Sequence, residues 1–107
     1  MTRVLRYSDS ALDGLADIAF SIAFAAGDES VGTGFTDQIR AKCRAFASLP
    51  GLLGSPRPEL AERLRSFPFK GHVILFRYED DLVEIVNVLN GRRDLAALYE
   101  RDDVSEL

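Results

Sequence analysis

The chain has 107 residues, 47% of them hydrophobic, with 13 Lys+Arg against 17 Asp+Glu and a net charge of -4. That length points to one domain, 1–107, whose core buries roughly 60–70% of the unfolded surface, and the acidic balance argues against strong binding of free nucleic acid by the whole surface. A single cysteine, Cys43, excludes an internal disulfide, and with His72 as the only histidine neither zinc catalysis nor a Ser-His-Asp triad has support, so no metal or cofactor is expected.

"TRVLRY" (2–7) reads as a short first strand with Leu5 and Tyr7 on one face. Ser8, Asp9 or Ser10 then offers a side-chain oxygen as helix N-cap. Leu12, Leu15, Ile18, Ala19, Ile22 and Ala23 follow at helical spacing and predict an amphipathic helix over about 9–26. Gly14 weakens that helix slightly and allows close packing. The apolar run 11–26 is interrupted by Asp13 and Asp17 and falls short of the ~18 apolar residues of a membrane span. The first ten residues lack the basic-then-apolar order of a signal peptide, so a cytoplasmic location is expected.

"GDESVGTG" (27–34) is polar and glycine-rich and reads as a loop. Phe35, Ile39, Cys43, Phe46 and Leu49 then recur at three to four residues, a second amphipathic helix over about 34–48. Cys43 lies on its apolar side and reads as a buried structural thiol. Two helices joined by a short loop predict an antiparallel hairpin. "PGLLGSPRPE" (50–59) is irregular, and "LAERLRSFPF" (60–69) is ambiguous between a helical turn and a strand. Pro68 restricts any strand there to a short or edge position. "GHVILFRYE" (71–79) and "LVEIVNVLN" (82–90) are rich in β-branched and aromatic residues and form a hairpin through the tight turn at "EDD". Val83, Ile85 and Val88, with Leu82, Val86 and Leu89, leave the second of these little polar face, so it belongs inside the sheet. After Gly91, "RRDLAALYERDD" suits a short C-terminal helix and "VSEL" a loose tail. The order predicts an α+β fold: an N-terminal strand and helical hairpin packed on a mainly antiparallel sheet, β-α-α-β-β-β with a short C-terminal helix.

The stretch "LRSFPFKGHVILFRYEDDLVEIVNVLNGRRDL" (64–95) resembles the RelE/ParE superfamily of small bacterial toxins, and its ParE branch in particular. A Leu-Arg, a short apolar piece, a strand ending in Arg-Tyr, a turn, a Val-x-Ile-x-x-Val-Leu strand and a Gly-Arg-Arg-Asp ending occur in the family's order. "YSDSALDGLADI" resembles its first helix, and "FASLPGLLGSPRPEL" the end of its second helix and Pro-rich exit. The chain departs from the family at Gly14, where an acidic residue is usual before the Leu, in the loop "GDESVGTG", and in its acidic charge. The resemblance implies the toxin of a type II toxin–antitoxin pair, neutralised by a ParD-like antitoxin that wraps the helices and sheet. ParE-type relatives are implied to poison DNA gyrase, and RelE-type relatives to cut messenger RNA in the ribosome.

The site residues follow from that choice. A RelE-type nuclease needs cations for developing phosphate charge and groups for proton transfer. Arg93 and Tyr99 have a matching spacing, with Arg65, Lys70 or Arg77 as the further cations. The plainer reading of Tyr99 is a ring covering the core edge beside Leu95 and Leu98. His72 reads as a strand-face residue rather than a general base. Under the ParE reading no residue is catalytic. Arg65, Arg77, Arg92, Arg93 and Asp94 are then target- or antitoxin-binding candidates, and Asp94 also suits a helix N-terminus. Leu15 and Ile22 join them wherever the apolar stripe is left uncovered for an antitoxin helix. A third possibility is a family member that binds its antitoxin but is inactive.

Overall fold

The computed structural model of the protein describes residues 2–91. The expected C-terminal helix and tail, with Arg92, Arg93, Asp94 and Tyr99, lie outside the described residues. Strand β1 (Val4–Tyr7) leads into helices α1 (Asp9–Ala26) and α2 (Glu29–Ser48), then β2 (Ser55–Pro56), β3 (Arg65–Phe69), β4 (His72–Glu79) and β5 (Leu82–Leu89). The sheet runs β1-β5-β4-β3-β2. β1 pairs parallel with β5, and every other pair is antiparallel. The helical hairpin covers one face of this sheet, the expected α+β arrangement.

Side-chain alternation along the strands decides what the hairpin covers. Leu5, Tyr7, Phe67, Ile74, Phe76, Tyr78, Val83 and Ile85 point at the helices and pack with Ala11, Leu15, Ile18, Ile39, Cys43 and Phe46. The Phe46 ring stacks on Phe76 at 4.2 Å and meets the edge of Phe67 at 5.3 Å, which joins α2 to both β3 and β4. The turn at Asp80–Asp81 is as tight as expected, with Asp80 at φ 52.

One irregularity fixes where α1 starts. Leu75 pairs with Asn87 but Phe76 pairs with Ile85, so Val86 is an extra residue on β5. The Ser8 hydroxyl donates to the Val86 carbonyl (2.6 Å) and accepts from the Ala11 amide (3.0 Å). The N-cap of α1 is thereby tied to the bulge. Gly14 then lets the helix lie close to the strand: a Cβ there would be 2.7 Å from the Val88 carbonyl oxygen.

Three expectations are corrected. The loop over 27–34 is only Gly27 and Asp28, because Asp28 caps α2 by accepting from the Ser30 amide and the helix begins at Glu29. Residues 55–56, expected to be irregular, add a short edge strand to β3 at Ser66 and Arg65. Leu12 and Leu49, placed by periodicity on the apolar stripes, are exposed, and Ala11 takes the core position in α1. The ambiguous 60–69 stretch becomes strand only over Arg65–Phe69. Pro68 lies beyond the reach of β2, where its missing amide has no strand partner on the open side.

Candidate functional site

The sheet face away from the helices carries a charged cluster. Arg77 donates from Nε (3.1 Å) and Nη2 (2.7 Å) to Glu84 Oε1, and Arg6 donates from Nη2 to Oε2 (2.9 Å). Glu79 adds a carboxylate 3.3 Å from Arg77 Nε. Burial pushes the Glu84 carboxyl up, but the hydrogen bonds and charges of Arg6 and Arg77 outweigh it and hold the group below its usual range. Arg77 is therefore neutralised within the fold.

Arg65 is committed elsewhere. It pairs across the sheet with Phe76, so it lies on the face opposite Arg77. Its Nε donates to the Leu53 carbonyl (2.8 Å) and its Nη2 to the Gly54 carbonyl (3.0 Å). The Tyr78 hydroxyl accepts from the Leu53 amide (3.1 Å), so Arg65 and Tyr78 together hold the segment after α2. Lys70 sits in the β3–β4 turn and donates to Gln38 Oε1 (2.6 Å). The three cations are on opposite faces and at a strand end, each with an internal partner. They do not converge on one phosphate-sized site.

Among the described residues the hairpin borders at least two concave surfaces. A cleft of about 570 Å³ lies between α1 and the ends of β4 and β5, lined among others by Asp17, Ile22, His72, Val88 and Asn90. Ile22 is half-buried there, whereas Leu15 is 2% exposed and belongs to the core, with no surface for a partner. His72 occupies the strand face as expected, its ring 5.0 Å from Phe35 and Nδ1 3.2 Å from the Lys70 carbonyl oxygen. The second surface is a groove of about 580 Å³ between the outer sides of α1 and α2, floored by Ala16, Ala19 and Ala23 and walled by Phe20 and Phe24. Phe20 is 72% exposed and Phe24 81%. Sequence reasoning passed over both. The signal was present in Leu12, Ala16, Phe20 and Phe24, a second apolar row at four-residue spacing on a helix whose core stripe was already complete.

Cys43 is buried beside Tyr7, and the Arg40 guanidinium lies 5.1 Å from the Tyr7 ring centre. Burial pushes the thiol up to about 11 and the phenol up to about 12. Both stay neutral, which suits packing and not nucleophilic chemistry. Among the described residues no cluster of His, Cys, Asp and Glu is arranged to hold a metal ion, and no helix is long and apolar enough to cross a membrane.

Two solved structures share the fold. A chromosomal ParDE toxin–antitoxin system from P. aeruginosa aligns with a TM-score of 0.70 at 15% identity, over 85% of this chain and 98% of that one. The E. coli toxin RelE, as a double arginine-to-alanine mutant in the free state, aligns with a TM-score of 0.62 at 12% identity over the whole of both chains. No curated protein matches by sequence. The family model for the ParE toxin of the type II toxin–antitoxin system parDE matches residues 5–95. The RelE/ParE-like sheet and hairpin and that match lead to one conclusion: the chain belongs to the ParE toxin family of type II toxin–antitoxin systems.

Proposed function

We propose that the protein acts in the cytoplasm as a single-domain toxin that inhibits DNA gyrase, blocks replication and is neutralised by a ParD-like antitoxin. Membership of the ParE family supports the class of protein. The observation that carries the gyrase reading over the ribonuclease one is the internal commitment of Arg65, Lys70 and Arg77. A ribosome-dependent nuclease needs several free cations around one scissile phosphate, and these three are paired and dispersed. The net charge of -4 is a further handicap in approaching ribosomal RNA, but none in binding a protein–DNA complex.

The test is induction of the chain alone, followed by supercoiling by purified gyrase and mapping of translated messages. Loss of supercoiling with intact messages is expected. Cleaved messages with unaffected gyrase would replace this reading with the RelE-type one, and Tyr99→Phe would then abolish toxicity. Absence of any growth defect would mark an inactive family member. Co-expression of a ParD-like antitoxin restores growth under the first two outcomes.

A further inference from the structure

The two helices of the hairpin carry opposite charge. α1 holds Asp9, Asp13 and Asp17, all exposed, and no Lys or Arg. After Asp37, α2 holds Arg40, Lys42 and Arg44 and no acid. None of these six groups makes a salt bridge among the described residues. Arg44 is exposed, and Arg40 leans on the Tyr7 ring without a carboxylate beside it. The helices also differ in relief. α1 raises Phe20 and Phe24, two exposed rings stacked 6.3 Å apart, whereas the outward positions Ser30, Gly34 and Ala41 of α2 are small and exposed. A Cβ at Gly34 would meet nothing within 4 Å, so a ring from outside can lie flat there.

The hairpin register brings these features to matching heights. Gly32 packs against Ala19, and both helices advance about 1.5 Å per residue in opposite directions. Arg40 therefore lies level with Ala11, between Asp9 and Asp13, and Val31 lies level with Phe20. A two-fold axis along the hairpin keeps every level and lays α1 of one copy over α2 of the other. Asp9 and Asp13 then face Arg40 and Arg44 of the second copy, twice by symmetry, and Phe20 faces its Val31 and Gly34. An axis across the helices would instead lay α1 on α1 and set Asp9 and Asp13 against the rings, which the cost of burying unpaired charge disfavours. Rings of roughly 150–250 Å² each, mostly exposed, contribute about 300 Å² per copy. With the exposed Leu12 and Val31 the apolar part reaches about 400 Å² per copy, and at about two-thirds apolar the pair buries roughly 1,200 Å² in total. That is the low end of specific interfaces and suits a reversible dimer.

We propose that a second copy of this chain docks on the outer face of the α1–α2 hairpin about a two-fold axis along the hairpin. The Phe20–Phe24 ridge of each copy covers the small-residue side of the other's α2, and Asp9 and Asp13 pair with the other's Arg40 and Arg44. The rings supply affinity and the charges fix the register. The dimer goes beyond the toxin reading and does not depend on it. It masks the exposed rings as the chain concentrates, and any other partner of this face has to compete with self-association.

The test is sedimentation equilibrium of the purified chain from about 1 μM to several hundred μM, at low and high salt. A reversible monomer–dimer equilibrium is expected, weaker as salt rises. Phe20→Ala/Phe24→Ala weakens it by at least about tenfold. Asp9→Lys/Asp13→Lys and Arg40→Glu/Arg44→Glu each weaken it roughly tenfold or more at low salt, because like charges then meet at both symmetric contacts. Mixing these two charge variants restores a dimer of parental affinity, since one contact is then native and the other fully reversed. Only α1 lying on α2 has this property. Circular dichroism verifies that each variant is folded. If loss of the Arg40–Tyr7 contact unfolds the arginine variant, Arg44→Glu alone, which removes no internal contact, gives the same pattern at smaller size. A chain monomeric throughout the range, a dimer indifferent to Phe20→Ala/Phe24→Ala, or a mixture no tighter than its components would overturn the proposal.

Discussion

Replacing Gly32 with alanine puts a Cβ 2.2 Å from the Ala19 carbonyl oxygen, 3.0 Å from its carbonyl carbon and 3.2 Å from Ala23 Cβ. A carbon and a carbonyl oxygen approach to about 3.3 Å even in the closest weak hydrogen bonds, so the two helices must separate by about 1 Å. The obstacle is backbone held in α1, and no side-chain rotation relieves it. Overpacking of this kind costs about 1–3 kcal/mol. We take the upper end and subtract about 1 kcal/mol for the better helix propensity of alanine, leaving a net loss of about 2 kcal/mol. For a domain of this size that lowers the thermal midpoint by roughly 10 °C. Gly34 is the internal control: it is in the same helix and a Cβ there meets nothing within 4 Å. Gly34→Ala gains only the propensity term, about 0.5–1 kcal/mol, and raises the midpoint by roughly 3–5 °C. Thermal and urea unfolding followed by circular dichroism measure both. If Gly32→Ala is as stable as the parent, the close crossing of α1 and α2 at Ala19 is wrong.

Ser8→Ala removes the hydroxyl that joins the α1 N-terminus to the Val86 carbonyl, and a loss of about 1–2 kcal/mol is expected in the same unfolding experiments. Cys43 should resist a thiol reagent in the native protein and react fully in denaturant, since it is buried with its ionisation pushed up to about 11. At alkaline pH, Tyr7 and Cys43 have folded ionisation points raised above their unfolded ones. The stability they confer is complete below the ordinary thiol and phenol range and is lost as pH rises through about 11 and 12. Cys43→Ala should shift the onset of that loss upward in an alkaline unfolding titration.

Periodicity made most of the fold legible. The bounds of α1, the β4–β5 hairpin and its turn, and the inward face of β5 follow from spacing, because burial on one side imposes a fixed period on the residues. The start of α2 did not follow. Gly32 and Gly34 look like loop residues in "GDESVGTG", and only the approach of Ala19 explains why one of them is needed inside a helix. The parallel pairing of β1 with β5 joins Val4 to Leu82 across most of the chain, and no local signal encodes it. At the candidate site, the residue types Arg65 and Arg77 were visible but their partners were not. Whether an arginine is free or tied to Glu84 depends on sheet register, which a sequence expresses only through the fold. Phe20 and Phe24 were overlooked for a different reason: the stripe through Leu15, Ile18 and Ile22 already accounts for one apolar face of α1, and the helix has more apolar residues than one face can bury.

The Arg77–Glu84 pair gives the sharpest separation between the two chemistries. In a nuclease Arg77 would have to leave Glu84 to meet a phosphate, so Glu84→Gln, which keeps the shape and removes the charge, would release the arginine and raise RNA cleavage. Arg77→Ala would abolish it while leaving a folded protein. In a gyrase inhibitor held together by this pair, both substitutions act on stability alone. Arg77 is 38% exposed in its side chain and Glu84 14%, so solvent screening keeps the coupling between them to about 1 kcal/mol. The double variant should then be less destabilised than the sum of the singles by that amount. The pH dependence has a definite sign. The Glu84 carboxyl is held below its unfolded value, so its contribution is present above the ordinary glutamate range and is lost as pH falls through the folded value. Glu84→Gln should flatten this acid limb of the stability curve and leave gyrase inhibition at neutral pH unchanged. RNA cleavage that rises in Glu84→Gln and vanishes in Arg77→Ala would show that Arg77 is a reserve cation for catalysis, and the assignment of this chain to gyrase would have to be given up.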